Sequence, residues 1–202
     1  MPRRSECLHT SRRLVLRDSV EDSEIWSFAE QKGWHYLGHV PRDPARGVFY
    51  EARWEPTEGS TVHYIIDEFT DVVYMVVQHH EVEVAENLAG QLTDGLPIES
   101  LEELARNFDI HMYPAGWAKA VLRLGVGAPK EPDENFLLRI RESVGHPEAR
   151  VRKAAVWAMR YAAWPEFSQD LKRMAKSESD PEVAKEITHA METFRTPGGD
   201  QA

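Results

Sequence analysis

From residue 54 to residue 105 the chain has no lysine and no arginine, while twelve acidic residues occupy the same stretch. Fifty-two positions without a basic side chain do not neutralise themselves by pairing along their own sequence. The rest of the chain is nearly balanced: residues 1–53 carry 9 basic against 8 acidic side chains, and residues 106–202 carry 15 against 14. The net charge of −10 is therefore a local property. A field of that sign attracts basic proteins and repels nucleic acid. A single cysteine, Cys7, excludes an internal disulfide framework and a zinc site built on several thiolates, and it suits a reducing compartment. Long apolar runs are missing as well. The longest, residues 72–77, falls far short of the roughly 20 residues that cross a bilayer, and the start MPRRSECLHTSRRL has charge but no apolar signal core. No membrane association is expected, and the expected location is the cytoplasm.

Catalytic signatures are equally scarce. There is no Gly-x-Ser-x-Gly, no HExxH and no phosphate-binding glycine loop. Among nine histidines the best metal grouping is His79-His80-Glu81, with His63, Asp67 and Asp71 on neighbouring segments. Adjacent residues of a strand point to opposite faces, so His79 and His80 are badly placed to share one ion. The expectation is no catalytic residue, no metal and no cofactor.

What the chain does contain is a change of period. Short runs at residues 12–17, 34–40, 48–54, 61–67 and 72–78 read as strands, and the last, rich in β-branched residues with both faces apolar, reads as a central one. Between the first two, Ser19 and Asp22 resemble a capping pair, with Ile25, Phe28, Ala29 and Lys32 on one helical face and Gly33 to end it. After residue 80 the period lengthens: Val84, Ala85, Leu88, Ala89 and Leu92 form one helical stripe, and Ile98, Leu101, Leu104, Ala105 and Phe108 another. Residues 110–116 read as a joint. Beyond it, helices are expected at 117–126, 133–144, 148–163, 166–177 and 181–194, punctuated by Pro129, Pro132, Pro147, Pro165 and Pro181.

This second half repeats itself. At a spacing of 34, Leu137 aligns with Leu171, Arg139 with Arg173, Ile140 with Met174 and Pro147 with Pro181. Past the prolines the spacing shortens to 32, and Val151, Lys153, Ala155, Ala158 and Met159 align with Val183, Lys185, Ile187, Ala190 and Met191. Lys119, Ala120 and Leu124 align with Lys153, Ala154 and Ala158 as a third copy. A period of this size signals stacked helix pairs. The units beginning Gly145-His-Pro-Glu-Ala-Arg-Val-Arg and Ser179-Asp-Pro-Glu-Val-Ala-Lys-Glu resemble HEAT repeats, including the bacterial form found in phycobilisome lyases. Asp180-Pro181 has that family's helix opening. His146-Pro147 lacks its acid, and Val183-Ala184 lacks the arginine that Val151-Arg152 keeps. The resemblance covers residues 115–195 and implies a fold; it leaves function open.

The expected fold class is thus an α+β N-terminal layer followed by an all-α HEAT-like helical-repeat solenoid. The expected domains are a small α+β domain at 12–110, whose last two helices cap the stack, and repeats at 115–195, with flexible tails at 1–11 and 196–202. The functional expectation is a non-catalytic module that binds a basic protein, as an immunity-type inhibitor or a regulatory adaptor. Its binding residues are expected to be Glu81, Glu83, Glu86, Asp94, Glu99, Glu102 and Glu103 of the acidic stretch, with Arg139 and Arg173 of the repeat. Two alternatives stand beside it: a lyase-like or other small-molecule enzyme with a pocket between the halves, and a DNA-binding helical repeat. Against the second, Arg139, Arg141, Lys172 and Arg173 have enough acids nearby to pair with.

Overall fold

The computed structural model describes residues 8–111 and 113–194. Cys7 and the expected tails, apart from residues 8–11, lie outside the described residues. The chain divides into two compact units, Met1–Glu99 and Ser100–Ala202.

The first unit is built on an antiparallel sheet. Its strands are β1 (His9–Thr10), β2 (Leu14–Val15), β3 (His35–Val40), β4 (Tyr50–Glu55), β5 (Thr61–Asp67) and β6 (Val72–His79), in the order β1-β6-β5-β4-β3, with β2 also on β6. The β-branched run chosen from sequence as central is flanked on both sides, by β5 along its length and by β1 and β2 in turn. The turn into it is held by Asp67, whose buried Oδ1 accepts the N–H groups of Phe69 and Thr70 at 3.0 and 3.2 Å. Helices α1 (Asp22–Gln31) and α2 (Val82–Gly95) supply Ile25, Ala29, Ala85, Leu88 and Leu92 to one core with Leu14, Trp54, Val62, Tyr64, Met75 and Val77 of the sheet. Each large aliphatic side chain taken fully from water there contributes about 1.5–3 kcal/mol. Between Tyr36 and Gly38 the β3–β4 register slips by a bulge, and Gly38 sits at φ 113°, a conformation that side-chain-bearing residues rarely adopt.

The second unit is helical among its described residues: α3 (Leu101–Asp109), α4 (Pro114–Val126), α5 (Glu134–Val144), α6 (Ala149–Ala162), α7 (Phe167–Ser177) and α8 (Pro181–Thr193). Local chemistry sets the starts. Ser100 and Glu103 form a reciprocal capping box, Asp133 accepts from the N–H groups of Asn135 and Phe136, and Asp180 accepts from those of Glu182 and Val183 ahead of Pro181. Helix α6 packs on α4, α5 and α8. Its approach to α4 is close: a Cβ on Gly125 would overlap the backbone of Ala158. Trp164, behind the left-handed Ala163 that ends α6, is buried and donates its indole N–H to Pro129 O at 3.1 Å.

The expected architecture needs correction. The chain is a mixed α/β protein with a six-stranded antiparallel sheet and eight helices among the described residues, not a small layer followed by an all-α HEAT-like solenoid. Two physical reasons account for the difference. Residues 9–15, part of which read as a tail, pair with β6 and widen the sheet. The apolar stripe of α2 is committed to β6, β1 and the core of the first unit, whereas α3 packs on α4 and α5 in the second.

Candidate functional site

The most distinctive surface of the first unit grows from α1. A capping box between Glu21 and Glu24 starts this helix, and Ile25 and Ala29 turn inward to the sheet. Trp26, one position round from Ile25, is left on the outer side and is 37% exposed. Its ring meets Tyr36 of β3 and the buried Trp54 of β4 edge-on, each at 5.0 Å between centroids. Tyr36 is 38% exposed, and Leu37 beside it is more open still.

The aromatic row continues across the strands. Tyr36 Oη lies 3.0 Å from His39 Nδ1, His39 stacks on Tyr50 at 6.0 Å, and Tyr50 meets Tyr64 edge-on at 6.5 Å. Tyr64 then donates its phenolic proton to Asp22 Oδ1 at 2.5 Å, back in the first turn of α1. Burial, reinforced by the Asp22 carboxylate, pushes the Tyr64 phenol far above its ordinary range, and burial with the neighbouring Tyr36 and Asp22 raises Tyr50. Both phenols stay protonated, which makes them donors and excludes them as bases at neutral pH. The surroundings are acidic. Glu21, Asp22, Glu24 and Glu30 are exposed on α1, and residues 1–99 carry 9 basic against 18 acidic side chains, a net −9, whereas residues 100–202 carry 15 against 16. Strand β3 is the last strand of the sheet path, so its outer backbone groups have no strand partner among the described residues.

The acidic residues singled out from sequence separate into classes. Glu81, Glu83, Glu86 and Asp94 are exposed along α2, with Glu81 at its N-cap. Burial lowers the Arg12 guanidinium from its ordinary range and the nearby Glu86 carboxylate opposes that shift, and elsewhere in the unit Arg42 reaches Glu68 at 2.6 Å, so bases from outside the acidic stretch offset part of it. Glu99 is buried, and its backbone N–H donates to Val15 O at 2.8 Å. Glu102 and Glu103 belong to the second unit, where Glu103 serves the capping box of α3 and Glu102 is exposed in its first turn. Arg139 forms a fork onto Asp109 at 2.8 and 2.7 Å, which holds that carboxyl below its usual range. Arg173 pairs with Asp170, a buried carboxylate that also receives Arg141 Nε at 3.0 Å.

The histidine grouping comes apart. His63 Nδ1 faces Glu51 at 2.5 Å, and His79 Nδ1 accepts the N–H of Glu81 at 2.9 Å. Among the described residues no three His, Cys, Asp or Glu side chains converge as metal ligands. Trp157 is stacked along Tyr161 and under Arg160, and Trp164 is core. The aromatic row was missed because its members lie on four elements; the one local signal was a tryptophan at position 26, off the apolar face of its helix. No helix among the described residues is long and apolar enough to cross a membrane. No protein-family model, no curated protein and no solved structure matches this chain.

Proposed function

We propose that the protein is a non-catalytic interaction module whose first unit grips a basic protein partner, as an immunity-type inhibitor or a regulatory adaptor would. One observation carries the reading: Trp26 and Tyr36, each more than a third exposed, rest on the buried Trp54 at the open edge of the sheet, beside the acidic first turn of α1. Rigid aromatic rings backed by a packed core are the side chains that dominate binding energy at protein interfaces. Carboxylates around them set the sign of the partner and speed its approach. The cation–π attraction of an arginine or lysine for an exposed indole face adds to the same preference. The outer edge of β3, without a strand partner among the described residues, offers backbone groups to an added strand, although the Gly38 bulge shortens the regular stretch.

The test compares the wild-type chain with a Trp26→Ala/Tyr36→Ala double variant as bait in native lysate, at low and high salt. The expected result is one basic protein retained by wild type, lost from the double variant and weakened by salt. Equal retention by both baits, or no retained protein, overturns the reading. Circular dichroism of the two baits checks that Trp54 and the sheet beneath remain folded.

A further inference from the structure

The second unit contains a polar furrow of about 780 Å³ between α5, α6 and α7, lined by Arg141, His146, Arg152, Asp170, Arg173 and Glu178. Its volume is that of an ordinary small-ligand site. The two carboxylates are already engaged. Glu178 receives a two-pronged fork from Arg152 at 2.7 and 2.7 Å and the backbone N–H groups of Ser179 and Asp180 at 3.0 and 2.9 Å. Asp170 takes Arg141 Nε on one oxygen and Arg173 on the other. Arg152 also donates to the carbonyls of His146 and Pro147, so it is fixed as wall.

What remains open to a ligand is a set of donors. The terminal nitrogens of Arg141 and the rest of the Arg173 guanidinium have no other hydrogen-bond partner among the described residues, and the Arg173 side chain is 76% exposed. His146 is oriented in two ways: its ring lies 5.0 Å from Trp117, and its Nδ1 accepts the N–H of Glu148 at 3.0 Å. A nitrogen that accepts carries a lone pair, so in the neutral ring the proton is on Nε2. Three guanidiniums against two carboxylates leave the lining net positive in a chain of charge −10.

We infer that this furrow binds the phosphate group of a small phosphorylated molecule, through the free guanidinium N–H groups of Arg141 and Arg173 and the Nε2–H of His146. A phosphate presents oxygens on several sides and suits donors arriving from α5, from the loop after it and from α7; a carboxylate is matched by a single fork. The buried Asp170 tethers both arginines, one on each carboxylate oxygen. This site is independent of the aromatic edge of the first unit.

The test titrates the full chain with inorganic pyrophosphate by calorimetry, with succinate at matched ionic strength as the carboxylate arm. Saturable pyrophosphate binding with a Kd below about 1 mM, and succinate at least about tenfold weaker, is expected. Arg173→Gln, at an exposed side chain, and His146→Asn should each weaken pyrophosphate about tenfold. Lys185→Gln, which removes a charge elsewhere in the same unit, should leave it unchanged. Absence of saturation, succinate binding as tightly, Lys185→Gln weakening as much as Arg173→Gln, or unaltered binding by both furrow variants overturns the inference. Circular dichroism of each variant separates lost binding from lost fold.

Discussion

Replacing Arg152 by methionine keeps the length of the side chain and removes the fork that holds Glu178. In the wild-type chain Arg152 joins the first turn of α6 to the carbonyls of His146 and Pro147 and to the Glu178 carboxylate, whose side chain is only 4% exposed. The hydrogen bonds from Arg152 and, after them, those from the backbone of Asp180 and Ser179 bring the Glu178 carboxyl down from 4.5 to about 2. At about 1.4 kcal/mol per pK unit this sets a ceiling of roughly 3 kcal/mol. One correction lowers it: the two backbone N–H groups stay in the variant. A loss of about 2 kcal/mol at neutral pH is the expected cost. Because the folded-state value lies below the unfolded one, the contribution of ionised Glu178 is fully present above pH 4.5 and is lost as pH falls through about 2. Urea unfolding of both proteins, followed by far-ultraviolet circular dichroism across that range, should show a gap that is largest at neutral pH and narrows below pH 4.5. A gap that does not change with pH, or a neutral-pH loss under about 0.5 kcal/mol, would refute the reasoning.

Two glycine-to-alanine changes should have opposite signs. Gly125→Ala forces a methyl into the Ala158 backbone and should cost about 1–3 kcal/mol in chemical denaturation despite the better helix former, whereas Gly90→Ala, with nothing within 4 Å of the new Cβ, should stabilise by up to about 1 kcal/mol. Tyr64→Phe removes the proton given to Asp22 but keeps the packed ring. It should lower stability by about 1 kcal/mol in urea unfolding, and an unchanged midpoint would mean that the bond contributes nothing. Asp180→Ala leaves the N–H groups of Glu182 and Val183 uncapped and should cost about 1 kcal/mol in the same assay, while Asp180→Asn, which keeps an acceptor oxygen, should cost less.

The parts of the fold written in short-range chemistry were legible in advance. The starts of α5 and α8 follow from Asp133 and from Asp180-Pro181, whose side chains act within three residues. The strand at Thr61–Asp67 and its neighbour at Val72–His79 follow from β-branched runs divided by a turn that Asp67 ties to its own following backbone. Where two local solutions compete, sequence alone does not choose. Both Ser19 and Glu21 can cap α1, and Glu21 is used, in a capping box with Glu24. The period-34 spacing, read as a HEAT-like stack, led to an architecture that the structure overturns, because it says nothing of how much sheet precedes the helices.

The candidate site was less legible for a related reason. Asp22, Trp26, Tyr36, Tyr50, Trp54 and Tyr64 are spread over four elements, and only the strand order β5-β4-β3 and the seat of α1 on that face bring them together. The acidic stretch shows the same limit from the opposite side. Composition established that residues 54–105 hold no base of their own, but Arg42 meets Glu68 across 26 positions, Glu99 is buried and Glu103 is a cap. By itself the sequence determined most of the elements, though not β1, and the sign of the charge, because these depend on neighbours a few residues apart. Tertiary structure alone decided which helix serves the sheet, which carboxylates remain free and which aromatic rings meet, because those depend on pairings between residues that sequence distance does not reveal.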